Sequence, residues 1–307
     1  MGVIGDETWL EKIPYQGLIS FWRAPYTKNL AGADIAIYGI PLDLGTTNRS
    51  GARFGPRAIR EQSCYLGGFE TCWPHTFPFK DRFKLIDYGD LTFLPGKIED
   101  MLAIVEQEVG KIIGQNVLPL GLGGDHLVAY PELKALAKKH GKLSLIHFDA
   151  HTDSYEVPYL NHGSMFYHAA VEGILDPENS VQIGIRTPIP ETPKYNVIPA
   201  NECFKLGAEG VIQEIKRIVG KRKCFLSLDV DGMDPAFTPG TGTPVPGGLT
   251  SAFQREILWG LKGMNVVGAD IVEVAPPYDI ANTTALVGAI MAMDILYILG
   301  ETKKIYR

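Results

Sequence analysis

Apolar residues along this chain gather in short runs of six to nine, each closed by Gly, Asp, Pro or a charged residue. The runs are DIAIYGI (34–40), FKLIDYGD (83–90), NVLPLGLG (116–123), LSLIHFD (143–149), SVQIGIR (180–186), YNVIPA (195–200), CFLSLDV (224–230) and VVGADIVEV (266–274). Their length and β-branched content predict eight strands. Between most of them, apolar residues recur at helical spacing, as in IEDMLAIVEQEVGKIIG (98–114), PELKALAKKH (131–140), AEGVIQEIKRIVG (208–220) and TTALVGAIMAMDILYILG (283–300). Such alternation predicts βαβ units. Strands that are apolar on both faces further predict a mostly parallel sheet covered by helices on each side, an α/β three-layer α-β-α fold. No repeat or long Ser/Pro/Gly linker divides the chain, so one domain over 1–307 is expected.

Composition narrows the partners. With 45% hydrophobic and 10% aromatic residues the 307-residue chain can fill a sizeable core. Its 29 basic against 35 acidic residues leave a net charge of −6, which offers no footprint for nucleic acid or an anionic membrane. A small-molecule partner is expected instead. The four cysteines (Cys64, Cys72, Cys203, Cys224) show no metal or disulfide spacing, and no run is read as a membrane span. The opening MGVIGDETWLEK lacks a signal-peptide core and a myristoylation Ser/Thr, so the cytoplasm is the expected compartment.

Ligands of open parallel sheets sit beyond the carboxyl ends of the strands. Four runs end there in polar residues: GGDH with Asp125 and His126, DAHTD with Asp149, His151 and Asp153, DVDGMDP with Asp229, Asp231 and Asp234, and then Glu273. On extended backbone, residues two apart share a face, so Asp149, His151 and Asp153 can converge, as can Asp229 and Asp231. One Asp at a strand end is an ordinary turn former; three such strand ends together are not. Buried carboxylates repel unless a cation lies among them. Four of them balance two divalent ions, with one imidazole each from His126 and His151. Oxygen-rich ligation without thiolate favours two Mn²⁺ over structural zinc, and two such ions can hold a bridging hydroxide, making hydrolysis the natural chemistry.

Other motifs weaken on inspection. After Gly121 and Gly123 the third glycine of a dinucleotide fingerprint is replaced by His126, and no phosphate-loop lysine or GxSxG elbow is present. FTPGTGTPVPGG (237–248) is expected to be a rigid loop over the site, RSGARFGPRAIR (49–60) a solvated loop entering a capped helix. Asp125 is expected to orient an imidazole, and Asp234, before Pro235, to organise a turn.

GGDH, HFDAHTD, SLDVDGMDPAFTPGTGTPVPGGLT and ADIVEVAPPYD together resemble the ureohydrolase family of arginases, agmatinases and guanidino-acid hydrolases, and the resemblance runs from about residue 34 onward. It implies an eight-stranded arginase-like domain, with about 1–33 an N-terminal extension packing on it or on a neighbouring subunit. It also implies a homotrimer or homohexamer and a binuclear Mn²⁺ centre held by His126, Asp149, His151, Asp153, Asp229 and Asp231. By the same resemblance Glu273 receives the substrate guanidinium, Asp153 holds the hydroxide, and His162 passes a proton to the leaving amine. The short SYEVPYLN before His162 lacks the Ser/Asn-rich portion of arginases, and the continuation resembles agmatinases. Agmatine, cut to putrescine and urea, is the expected substrate. Asn161 stands where agmatinases can carry an acid, a departure that suits 4-guanidinobutyrate or 3-guanidinopropionate; arginine comes behind these. The non-enzymatic alternative is a catalytically silent metal-binding scaffold.

Overall fold

The computed structural model describes residue 13 and residues 15–68 and 71–305. The opening segment read for targeting signals, and with it the first part of the 1–33 extension, lies outside the described residues. Beyond it, Phe21 and Trp22 are buried, and the Phe21 N–H donates to Asp87 Oδ2 at 2.7 Å.

Eight strands form one sheet: β1 (Ile35–Ile40), β2 (Leu85–Asp90), β3 (Leu118–Gly123), β4 (Ser144–Phe148), β5 (Val181–Ile185), β6 (Asn196–Pro199), β7 (Cys224–Asp229) and β8 (Val266–Val272). Each falls inside a predicted run. All pairings are parallel, in the order β2-β1-β3-β8-β7-β4-β5-β6. Among the described residues seven α-helices flank it: α1 (Gly55–Tyr65), α2 (Ile98–Gly114), α3 (Ala129–His140), α4 (Met165–Val171), α5 (Ala200–Val219), α6 (Ser251–Gly260) and α7 (Thr283–Ile305). In α2 the buried residues Met101, Val105, Val109 and Ile112 form one stripe, the spacing that predicts the helix. Helix α5 is interrupted at Gly207, whose φ of 67° is left-handed, so its regular stretch begins near the predicted Ala208.

Strand residues on the two faces of the sheet feed two cores. Ile35, Leu120, Ile146 and Leu226 pack with Ile59 of α1, Ile212 of α5, Ile257 of α6 and Ile295 of α7. Leu145 and Phe225 pack with Val105 of α2, Leu133 of α3 and Met165 of α4. Helix α7 corrects one expectation: over 283–304 it is apolar and long enough to cross a membrane, yet 78% of its apolar window is buried within the protein. It is a core helix, covered on several sides by α1, α6 and β8.

Nor is 49–60 a solvated basic loop. Arg60 is buried against Asp87 (2.8 Å) and Asp90 (2.5 Å), Arg53 pairs with Asp43, and Arg49 lies over the Tyr278 ring. Three of its four arginines are therefore already engaged. Helix α1 carries Pro56 in its first turn and has no side-chain cap.

Candidate metal centre

Strand order brings the polar ends together. Strands β7 and β8 insert between β3 and β4, so residues distant in sequence emerge from four adjacent carboxyl ends. Those ends span about 14 Å at the usual strand spacing. His126 opens the turn after β3, Glu273 follows β8, Asp229 closes β7 with Asp231 two residues on, and Asp149 follows β4. Asp229 Oδ1 accepts from the Asp231 N–H at 2.7 Å, which fixes that turn.

The convergence of Asp149, His151 and Asp153 does not come from extended backbone, as the alternation had suggested. Continued extension would carry Asp153 about 13 Å past Asp149. Instead the chain bends at 150–151, and Asp153 adopts a left-handed φ of 48°. Asp tolerates that conformation better than most residues. The bend returns Asp153 to His126, whose Nδ1 lies 2.8 Å from Asp153 Oδ2, 3.3 Å from Asp149 Oδ2 and 3.4 Å from Asp229 Oδ2. A second group forms around His151, whose Nδ1 is 3.2 Å from Asp149 Oδ1 and 3.3 Å from Asp231 Oδ2. All six predicted ligands thus assemble, in two groups that share Asp149.

The electrostatics call for positive charge. Burial and neighbouring carboxylates raise Asp153 to about 7, Asp231 to about 6 and Asp229 well above the ordinary range. Burial opposes charging of His151, but Asp149 and Asp231 outweigh it and lift the ring to about 12. Asp149, despite burial, is held low by His147 and the other two imidazoles.

His126 shows which cation fits. Ser227 Oγ donates to Asp270 Oδ1 (2.6 Å), so it must accept from His126 Nε2–H (2.7 Å). In the neutral ring Nδ1 is then bare, and no nearby group makes a hydrogen bond to it although three carboxylate oxygens surround it. A lone pair among carboxylates is repulsive; either a second proton, which the three carboxylates favour and burial opposes, or a metal ion must stand between them, and only the metal also offsets the remaining carboxylate charge. The donor set fits a metal site. The other buried cluster, Cys72, His75 and Asp294, does not: Arg255 Nε already donates to Asp294 Oδ2 at 2.7 Å, and burial pushes the Cys72 thiol up to about 12.

Glu273 and His162 meet beside this centre. Glu273, at a left-handed φ of 65°, accepts at Oε1 from the His126 N–H (3.0 Å) and from His162 Nδ1 (2.8 Å), while its buried Oε2 has no partner. Burial opposes a charge on His162 and Glu273 favours one, raising it to about 9. The Thr47 N–H points at His162 Nε2 from 3.0 Å, however, so the hydrogen bonds describe the neutral ring with its proton on Nδ1. A cavity of about 300 Å³ opens over His151, Asp153, Asp229 and His162, walled by Tyr155, Tyr159, Asn161 and Thr243. Asn161 Oδ1 accepts from the Gly163 N–H at 2.7 Å, holding the bend before α4.

Two expectations change and two stand. Asp125 orients no imidazole; its oxygens accept from the Leu127 and Gly45 N–H groups, and Ser227 holds His126 instead. His147, read as part of an apolar strand, donates from Nε2 to Asp149 Oδ2 at 2.7 Å. Its signal was present, since 147 extends the alternate-position row 149, 151, 153. Asp234 does organise a turn, accepting from the N–H groups of Ala236, Gly247 and Gly248. The 237–248 loop does reach the site, where Thr243 Oγ1 donates to Asp231 Oδ2 at 3.1 Å.

Known proteins share this chain's sequence and fold. Residues 33–297 match the model of the arginase family. The agmatinase of Neisseria meningitidis serogroup C (strain 053442) is 45% identical over 272 residues, 88% of this chain and 89% of that protein. The crystal structure of a hypothetical agmatinase from Burkholderia thailandensis superposes with a TM-score of 0.93 at 44% identity, covering 95% of this chain and 94% of the other. Proclavaminate amidino hydrolase from Streptomyces clavuligerus superposes with a TM-score of 0.89 at 33% identity, over 94% and 99% of the two chains.

Proposed function

Since the chain belongs to the arginase family, we propose that it is a manganese-dependent ureohydrolase that splits agmatine into putrescine and urea. The observation that carries this reading is the Glu273 carboxylate, with Oε1 engaged by two donors and buried Oε2 unpartnered beside the metal cluster. A guanidinium offers planar N–H donors to such an oxygen.

His126, Asp149, Asp153 and Asp229 would hold one Mn²⁺, and Asp149, His151 and Asp231 the other. Bound there, the ions supply Lewis acidity and make water a nucleophile near neutral pH. Around them the chain's own groups divide the work. Glu273 orients the guanidinium; Asp153, beside His126 Nδ1, accepts a hydrogen bond from the attacking water. His162, once it has taken up as a second proton the one lost by the attacking water, in the charged form that Glu273 favours, delivers a proton to the departing amine nitrogen as the carbon–nitrogen bond breaks, which leaves urea and a free amine. Thr47 Oγ1, 2.7 Å from His162 Nε2, steadies that ring.

Agmatine is supported by the 45% identical relatives, which are named agmatinases. Among the described lining residues of the cavity no Lys or Arg waits for a carboxylate tail. Neutral Asn161 favours a second reading, hydrolysis of 4-guanidinobutyrate or 3-guanidinopropionate. Urea release by Mn²⁺-loaded protein from agmatine, arginine and the two guanidino acids decides between them, with the highest kcat/KM expected on agmatine. Metal content of two Mn²⁺ per chain without urea from any substrate would leave the silent scaffold instead. We further propose a homotrimer or homohexamer in the cytoplasm, where the four buried free cysteines stay reduced; light scattering and cell fractionation test these.

A further inference from the structure

Beneath the metal cluster a polar row crosses the sheet on the α3 side. Tyr38, Gly121, Asp270, Ser227, His147 and Gln182 are register partners on six successive strands. The five with side chains are all buried, which is costly unless every polar group is satisfied. Gly121 leaves a gap in the row, and Glu132 of α3 fills it: a Cβ at 121 would lie 2.4 Å from Glu132 Oε1 and 3.4 Å from Asp270 Cβ. The glycine that looked like a fragment of a nucleotide loop makes room for a carboxyl.

The donors can be traced in one direction. The Tyr38 hydroxyl donates to Glu132 Oε1, Ser227 to Asp270 Oδ1 and His126 Nε2 to Ser227. What remains is Glu132 Oε2 and Asp270 Oδ2, buried oxygens without a donor, on two carboxyl groups that meet over Gly121. Two carboxylates cannot face each other there; a single shared proton turns the repulsion into a hydrogen bond. Burial raises both acids, but the Ser227 hydroxyl donating to Asp270 Oδ1 favours the charged form of Asp270, and that charge adds to burial in raising Glu132, so the proton belongs on Glu132.

We propose that Glu132 is a resident neutral acid that donates to Asp270, and that Asp270 and Ser227 form a positioning relay holding His126 with Nδ1 bare toward the metal. The relay rests on the reading of His126 as a ligand. It places one negative charge behind the ring, which fixes the tautomer and strengthens the ligand atom. Glu132 and Asp270 are positioning residues, touching neither substrate nor metal.

Isosteric exchanges locate the proton. In Glu132→Gln an amide N–H replaces the acid O–H and the amide carbonyl still accepts from Tyr38, so Mn²⁺ affinity, read against a competing chelator, is expected within about twofold of the parent protein. In Asp270→Asn the relay charge is gone, and affinity at one of the two sites is expected to fall roughly 10- to 100-fold. Excess Mn²⁺ should restore turnover there with KM for agmatine unchanged. Infrared difference spectra should show a buried protonated carboxyl that Glu132→Gln lacks. Equal metal loss in Glu132→Gln and Asp270→Asn would overturn the assignment, as would parental affinity in Asp270→Asn. Should Asp270→Asn fold poorly, Ser227→Ala carries the test, with the same single-site loss expected and parental affinity refuting the relay. His126→Ala separates the premises: if it also keeps both ions, the ligand reading fails; if it alone loses one, only the relay fails.

Discussion

Replacing Glu273 by Gln tests the substrate reading at its most exposed point. Oε1 accepts from the His126 N–H and His162 Nδ1, so the glutamine carbonyl must take that place to keep both bonds. Its NH₂ then occupies the position of Oε2, the unpartnered oxygen proposed to receive the guanidinium. A donor there faces a donor. The loss comprises one charge-assisted hydrogen bond, about 1.5 to 3 kcal/mol, and a buried unmatched donor, about 1 to 3 kcal/mol. Together these amount to about 2.5 to 6 kcal/mol, or a fall in kcat/KM of between about 10² and 10⁴. The assay is urea release over an agmatine series with Mn²⁺ content measured on the same sample. Metal content should stay at the parental value, because Glu273 is not a proposed ligand. A kcat/KM within a few-fold of the parent at full metal content would refute the role of Glu273.

Three further outcomes follow from the same geometry. In chelated protein, burial raises Asp153 to about 7 and Asp231 to about 6 from an ordinary 3.8, so their contribution is present below 3.8 and lost as pH rises through those values; the melting temperature should fall across that window, a trend Mn²⁺ should abolish and a flat chelated profile would contradict. Arg186 donates to the carbonyls of Gly184, Asp231, Gly232, Met233 and Val245, a fork that a lysine cannot reproduce, so Arg186→Lys should cost at least about 2 kcal/mol in denaturant melts and weaken Mn²⁺ binding. Asn161→Asp keeps an oxygen for the Gly163 N–H and adds a negative charge to the cavity wall, worth about 1 kcal/mol, so the agmatine preference over 4-guanidinobutyrate should rise about fivefold in competition assays; an unchanged ratio would remove Asn161 from tail recognition.

Much of this protein is written locally. Each strand is an apolar run closed by a residue that ends it, and helix α2 declares itself by a stripe from Met101 to Ile112. The six proposed ligand positions are legible too, because Asp and His at alternate places after three strands break the composition of a buried sheet. What those patterns do not carry is adjacency. Nothing in the spacing of residues 126 and 149 says that β7 and β8 come between their strands, and only that insertion brings Asp229, Asp231 and Glu273 to the same point. Ser227, Asp270 and Glu132 look like isolated polar residues in separate segments; register across the sheet joins the first two behind His126, and packing of α3 brings Glu132 to them. The left-handed turn at Asp153, which overrides strand alternation, belongs to the same class. Periodicity and strand ends reflect each residue's own burial, which the chain encodes within a few positions. Which strand lies beside which depends on the free energy of packing the whole sheet between its two helical layers, and that was decided only by the tertiary structure.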